Sequence, residues 1–256
     1  MLEPRPSSAL VVLPSPDPGG SGGSERRRSA PWKWQLANAV RSASELSARV
    51  QLTPEELAGA ERSERQGFPF GITPYYLSLV DPLDAACPIR RQVVPHRLEG
   101  ETTRGDLVDP LGEEAHEVAP DLVQRYPDRA LVLATDRCAV YCRFCTRSRM
   151  VGGGSGTRSL EHLGPAFDYL AAHPEIRDVI VSGGDPLTLA TERLVQVVAG
   201  LRAIESIETI RLATRVPVVL PQRITGELLR ALAPLHPLWV MTHFNHPKEL
   251  TPIACR

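Results

Sequence analysis

Residues 129–145, Arg-Ala-Leu-Val-Leu-Ala-Thr-Asp-Arg-Cys-Ala-Val-Tyr-Cys-Arg-Phe-Cys, decide the fold. The run Ala130-Leu131-Val132-Leu133-Ala134 is apolar throughout and too short for a buried helix, so it reads as a strand covered on both faces. The same alternation continues toward the C-terminus: helical spacing over 160–172, a buried strand at 179–181, a helix over 189–204, a strand at 209–213, a helix over 225–235 and a strand at 238–242. Strands alternating with helices of this length predict successive βαβ units and a parallel sheet, an α/β fold. A fourth strand this apolar leaves an open sheet edge unless another segment or a partner covers it.

Upstream, residues 67–128 are rich in proline and acids and read as extended covering structure around short elements, among them residues 71–76. Residues 32–66 have helical spacing. Thr53 reads as an N-cap, with Pro54 at the first helical position and Glu55 and Glu56 in the first turn. The first 30 residues, rich in Pro, Ser, Gly and Arg, cannot bury enough apolar surface to offset chain entropy and are expected to form a disordered tail. Three regions follow: a tail over 1–30, a helical and extended covering region over 31–128, and the α/β region over 129–256.

With 42% hydrophobic and 23% charged residues, the 256-residue chain can bury a sizeable core. A net charge of -1 exerts no long-range pull on nucleic acid or anionic lipid. No apolar run approaches the roughly 18 residues of a membrane span, and the N-terminus lacks a secretory layout. The expectation is a cytoplasmic protein with small-molecule partners, no nucleic acid and no membrane. Five cysteines, three of them within residues 138–145, suit metal ligation in a reducing compartment better than a disulfide framework. Cys87 and Cys255 read as ordinary thiols.

Cys138, Cys142 and Cys145 have the spacing CxxxCxxC directly after the first strand of the βαβ series. Three thiolates on one loop can hold three irons of a cubane and leave the fourth iron open to a ligand. Zinc needs a fourth ligand, for which His162 is available but not favoured by its spacing. After the second strand come Ser182-Gly183-Gly184-Asp185-Pro186, where such folds place functional loops. The glycines permit close backbone approach to a ligand, and the Asp185 carboxylate can accept from an ammonium. A plain tight turn explains this stretch alone about as well.

Taken together, the two motifs resemble the radical S-adenosylmethionine superfamily. The flanks narrow the likeness: residues 72–82, 125–138, 142–152, 215–225 and 242–247 are each similar, in order, to the lysine 2,3-aminomutase family, over about 32–249. The resemblance implies a parallel (β/α) barrel of the radical SAM type, partial here at about four strands, behind an N-terminal helical layer. It implies a [4Fe-4S] cluster on Cys138, Cys142 and Cys145, and S-adenosyl-L-methionine held by Ser182, Gly183, Gly184, Asp185, Arg215 and His243. Arg125, Tyr126 and Arg129 match contacts to pyridoxal 5′-phosphate, and Arg147 matches the arginine for the substrate α-carboxylate. The bland readings remain beside these: Arg125 and Arg129 capping a strand and pairing with Asp128, Arg149 as a surface cation, and His243 as a structural residue. The HxxH of His243 and His246 is not expected to bind metal, because Pro247 suggests a turn.

Departures from the family also carry expectations. Phe144 stands where the family has histidine, and Cys255 matches the family's zinc-ligand region poorly. The resemblance places the cofactor lysine and the acids for the substrate ε-ammonium beyond residue 256, so the chain is expected to be the front part of such a protein and not to complete turnover alone. The implied reaction moves the α-amino group of L-lysine to its β-carbon, with a reducing electron donor as partner and a homo-oligomer left open. Glutamate or protein-bound lysine as substrate, and a non-catalytic iron–sulfur module, are the alternatives.

Overall fold

The computed structural model describes residues 30–153, 156 and 158–256; the expected tail and its Arg26-Arg27-Arg28 run lie outside the described residues, save Ala30. The N-terminal layer consists of short helices: α1 (Trp32–Ala37), α2 (Ala43–Ser47), α3 (Pro54–Arg65), α4 (Pro74–Leu77) and α5 (Arg90–Val93). Helix α3 begins as expected. Thr53 Oγ1 accepts from the Glu56 amide at 3.2 Å while a Glu56 carboxylate oxygen accepts from the Thr53 amide at 2.8 Å, a reciprocal cap that satisfies two otherwise orphaned donors. The same carboxylate takes two bonds from Arg90, at 2.8 and 2.6 Å, and Arg90 is fully buried. Burial works against ionisation of Glu56, but Arg90 and the Thr53 bonds together outweigh it and hold the carboxyl below its usual range. This pair ties α3 to the segment that later contacts the cysteine loop.

The sheet has six strands in sequential order: β1 (Glu117–Ala119), β2 (Leu122–Tyr126), β3 (Arg129–Thr135), β4 (Asp178–Gly183), β5 (Thr209–Ala213) and β6 (Leu238–Met241). β3 to β6 are parallel, as the alternating pattern predicts, and are joined by α6 (Leu160–Ala172), α7 (Thr191–Arg202), the short α8 (Val216–Val219) and α9 (Gly226–Leu232). The expected helix over 189–204 starts two residues later, since residues 186–188 form a 3-10 turn capped by Asp185. Two antiparallel strands, β1 and β2, precede the parallel set in a region read only as extended cover. They are too short to show a period and are defined by pairing, β1 on β2 and β2 on β3, a tertiary event.

The pleat gives the sheet two unlike faces. Ala130 and Val132, Val179 and Val181, and Ile210 and Leu212 are almost fully buried and share one core cluster with Leu163, Leu170, Leu194 and Val198 of the helices. On the other face a register row runs Leu131, Ile180, Arg211, Trp239, half-buried through β5 and exposed at β6. The sheet is not closed: among the described residues β6 pairs only with β5, and Trp239 is 60% exposed. This is the expected partial barrel, with an open face.

Candidate functional site

Cys138 lies three residues past β3, on a loop that the N-terminal layer clamps. The Tyr141 amide donates to the Gly71 carbonyl at 3.2 Å and the Arg143 amide to the Gln92 carbonyl at 2.8 Å. The Arg143 guanidinium donates to the Pro69 carbonyl at 2.8 Å and to Glu99, and lies 4.6 Å over the Phe68 ring. Arg143, directly after the second cysteine of the triplet, therefore reaches into the covering layer. These bonds fix the loop that carries the three thiols to the N-terminal layer.

All five cysteines are free, and Cys138, Cys142 and Cys145 are half-buried. Burial pushes the Cys138 thiol well up, and raises Cys142 and Cys145 too, while the Arg215 charge pulls Cys142 back. Ligation requires thiolates, so loading metal here releases protons and is favoured by higher pH. Among the described residues no group of three or more His, Cys, Asp or Glu could hold a single metal ion. A cubane makes a different demand, because each thiolate binds its own iron. His162, the candidate fourth zinc ligand, instead contacts Asp121 at 2.6 Å.

β4 ends against this loop. Gly183 has φ +115°, and a Cβ there would stand 2.2 Å from the Thr135 carbonyl oxygen; a Cβ on Gly184 would stand 2.3 Å from that of Arg137. The glycines thus serve close contact between two backbones, with the Asp185 amide donating to the Arg137 carbonyl at 2.8 Å. The carboxylate of Asp185, expected to be free for an ammonium, is already engaged. It accepts from the Leu187, Arg215 and Val216 amides and from the Thr214 hydroxyl, at 2.6 to 3.1 Å. Burial is the largest influence on it and leaves its carboxyl above the usual range despite those bonds. Asp185 ties the ends of β4 and β5 together through these bonds.

Arg215, at the end of β5, donates through Nη1 to the Cys142 sulfur at 2.8 Å and through Nη2 to Tyr76 at 2.9 Å, Glu249 at 2.6 Å and Gln92. Glu249 is fully buried and also accepts from the Tyr76 hydroxyl and the Asn245 amide, both at 2.6 Å. The remaining donor, Arg215 Nε, is buried without a partner among the described residues, an orphan beside the thiols that an acceptor would satisfy. Phe144 lies 5.3 Å from this guanidinium and 6.2 Å, edge-on, from His243. Burial and the Arg215 charge lower the His243 pKa, so its imidazole is neutral at neutral pH. His246, as expected, caps a short turn by accepting from the Lys248 amide at 3.1 Å. Three thiols, an orphaned donor and a guanidinium on one sulfur suit a sulfur-ligated, electron-accepting group.

Arg147 reaches the same end of the sheet, where Nη1 donates to Ser182 Oγ at 3.3 Å and Nε to both oxygens of Glu113 at 2.8 and 3.1 Å. A carboxylate thus already sits on the arginine expected to bind one. Arg149 is not a surface cation: it is mostly buried and pairs with Asp109 and Glu114, each at 3.0 Å. The three residues expected at the pyridoxal phosphate divide. Arg129 opens β3, with Tyr126 beside it at 6.0 Å, and pairs with Asp178 rather than the neighbouring Asp128; Arg125 donates to the Leu111 carbonyl at 3.2 Å. Asp178, Arg211, Glu113, Gln92, Tyr76 and Glu249 were not singled out in the sequence. Only an apolar strand broken by a charge, as at Asp178 and Arg211, hinted at any of them.

The sequence profile of the radical SAM superfamily matches residues 132–255. The L-lysine 2,3-aminomutase of Clostridium subterminale is 44% identical over 88% of this chain and 54% of its own length. The L-lysine 2,3-aminomutase of Bacillus subtilis is 44% identical over 86% and 46%, and the glutamate 2,3-aminomutase of Clostridioides difficile 41% over 86% and 52%. The chain spans about half the length of the curated relatives it matches. With the thiol loop, the glycine turn and the parallel strands arranged as described, residues 132–255 form a radical SAM domain, and over most of its length the chain is similar to the lysine 2,3-aminomutases.

Proposed function

We propose that this chain forms the cluster, S-adenosylmethionine and part of the pyridoxal phosphate site of an aminomutase that moves an α-amino group to the β-carbon, with L-lysine as substrate. The observation that supports the reading best is the meeting, at the ends of the parallel strands, of the three-thiol loop, the Ser182 to Asp185 turn and Arg215, whose Nε is orphaned. A [4Fe-4S] cluster on Cys138, Cys142 and Cys145 with S-adenosylmethionine on its open iron would generate a carbon radical after one-electron reduction, and pyridoxal phosphate would carry the migrating nitrogen. Arg143 and Asp185 keep the thiol loop and the strand ends in register. Arg215 offers its orphaned donor and positive charge to that site, and Ser182 holds Arg147 on its open side. Arg147 meets the substrate carboxylate once Glu113 yields it, and Arg129 at the start of β3, with Tyr126 at the end of β2, takes the phosphate end. The thiol loop and Arg129 sit at opposite ends of β3, about 20 Å of strand apart, so an extended substrate–cofactor pair spans the open face.

Anaerobic reconstitution with iron and sulfide, followed by dithionite and S-adenosylmethionine, is the test. Brown protein that forms 5′-deoxyadenosine is expected, and its absence would sink the radical reading in favour of a non-catalytic iron–sulfur module. The parallel assay, on a chain extended to the relatives' length and with pyridoxal phosphate and either L-lysine or L-glutamate, separates the two substrates named among the relatives. β-Lysine formation by that longer chain, and not by this one, supports lysine.

A further inference from the structure

At the strand starts, two charged residues that no motif marks complete a cluster with Arg129. Asp178 opens β4. Its Oδ2 accepts from Arg129 Nε of β3 at 2.8 Å and lies 2.8 Å from Arg211 Nη2 of β5, while Arg211 Nε donates to Oδ1 and Oδ2 at 2.9 and 3.0 Å. Two guanidiniums therefore meet on one carboxylate oxygen. Burial opposes ionisation of Asp178, but the two arginines more than reverse it and hold the carboxyl below its usual range, so the cluster carries a surplus positive charge at neutral pH.

That surplus faces open space. The Arg129 and Arg211 side chains are 40% and 34% exposed, and among the described residues neither Nη of Arg129 nor Nη1 of Arg211 has a hydrogen-bond acceptor. The Tyr126 ring lies beside Arg129, and Trp239 is the register neighbour of Arg211 on β6. Like charges held close, with donors to spare, favour an anion that can bridge them. A phosphate monoester, dianionic and able to accept from both forks, fits better than a single carboxylate.

We propose that Arg211 joins Arg129 in binding a phosphate monoester, with Asp178 as the spacer that sets the two guanidiniums side by side. The inference rests on the reading of this face as the pyridoxal phosphate site and adds a residue from β5. It also explains a charge in the middle of an otherwise apolar strand, Thr209–Ala213, where Arg211 lies between buried Ile210 and Leu212.

The test is equilibrium binding of pyridoxal 5′-phosphate, pyridoxal and inorganic phosphate, read by tryptophan fluorescence and confirmed by dialysis. Pyridoxal phosphate and inorganic phosphate are expected to compete, to bind more weakly as salt rises, and to outbind pyridoxal. Arg211→Gln should weaken both phosphates by about tenfold and leave pyridoxal unchanged. Arg211→Lys, which keeps the charge and the fold's Asp178 contact, should recover part of the loss. Arg211→Gln binding phosphate as tightly as the wild type, or losing pyridoxal and pyridoxal phosphate equally, overturns the role of Arg211. Wild-type protein without saturable phosphate binding overturns the phosphate site as a whole, while 5′-deoxyadenosine formation in the assay above stands or falls separately.

Discussion

The two ends of the parallel strands are both rich in arginine, yet they use it in opposite ways. At the thiol end Arg143 and Arg215 bond to carbonyls, acids and a cysteine sulfur, with one orphaned Nε between them. At the strand starts Arg129 and Arg211 share one carboxylate and keep donors free. The thiol end must hold a loop rigid before any cofactor arrives, so its polar groups are consumed in positioning. The starts need only a strand frame, and their side chains stay available for a ligand.

Breaking the thiol end should produce the largest effects. Cys142→Ala removes a sulfur ligand, and reconstituted protein should lose its visible absorbance and at least about a hundredfold in 5′-deoxyadenosine formation. Retained brown colour would show that the loop is not the cluster site. Asp185→Ala strands four donors at the junction of β4 and β5, and urea denaturation should show a loss of about 3 kcal/mol or more. Gly184→Ala drives a methyl into the Arg137 carbonyl and should cost about 2–3 kcal/mol. An unchanged denaturation midpoint would mean that the two backbones do not pass this closely.

A smaller effect separates the other end. The Asp178 carboxyl is lowered in the folded state, so its contribution is present above the unfolded value, about 3.9, and is lost as pH falls through the lower folded value. Acid titration of stability should therefore be shallower in Asp178→Asn than in the wild type, with the difference confined to the pH range below the ordinary aspartate value. Identical acid limbs would show that the arginine pair does not depend on that charge.

The thiol loop, the glycine turn and the alternation of strands and helices were legible because each is local: a spacing, a φ that only glycine adopts readily, or a period. Thr53 and Glu56 were legible for the same reason, as a cap is written within four residues. The bonding partners of Asp185 were not. As a carboxylate after two glycines it looks ready for a ligand, and only the fold brings Thr214, Arg215 and Val216 onto it from about thirty residues away.

The sequence by itself determined the parallel α/β core, the thiol triplet and the order of the motifs, since the hydrophobic period and cysteine spacing are properties of the chain. Only the tertiary structure decided which charges meet. Arg129, Asp178 and Arg211 lie on three separate strands, and Arg215 finds Tyr76, Gln92, Cys142 and Glu249 from four different segments. Ion pairs and hydrogen bonds act over a few ångströms of space and carry no signal along the chain, so strand register and loop docking selected these partners.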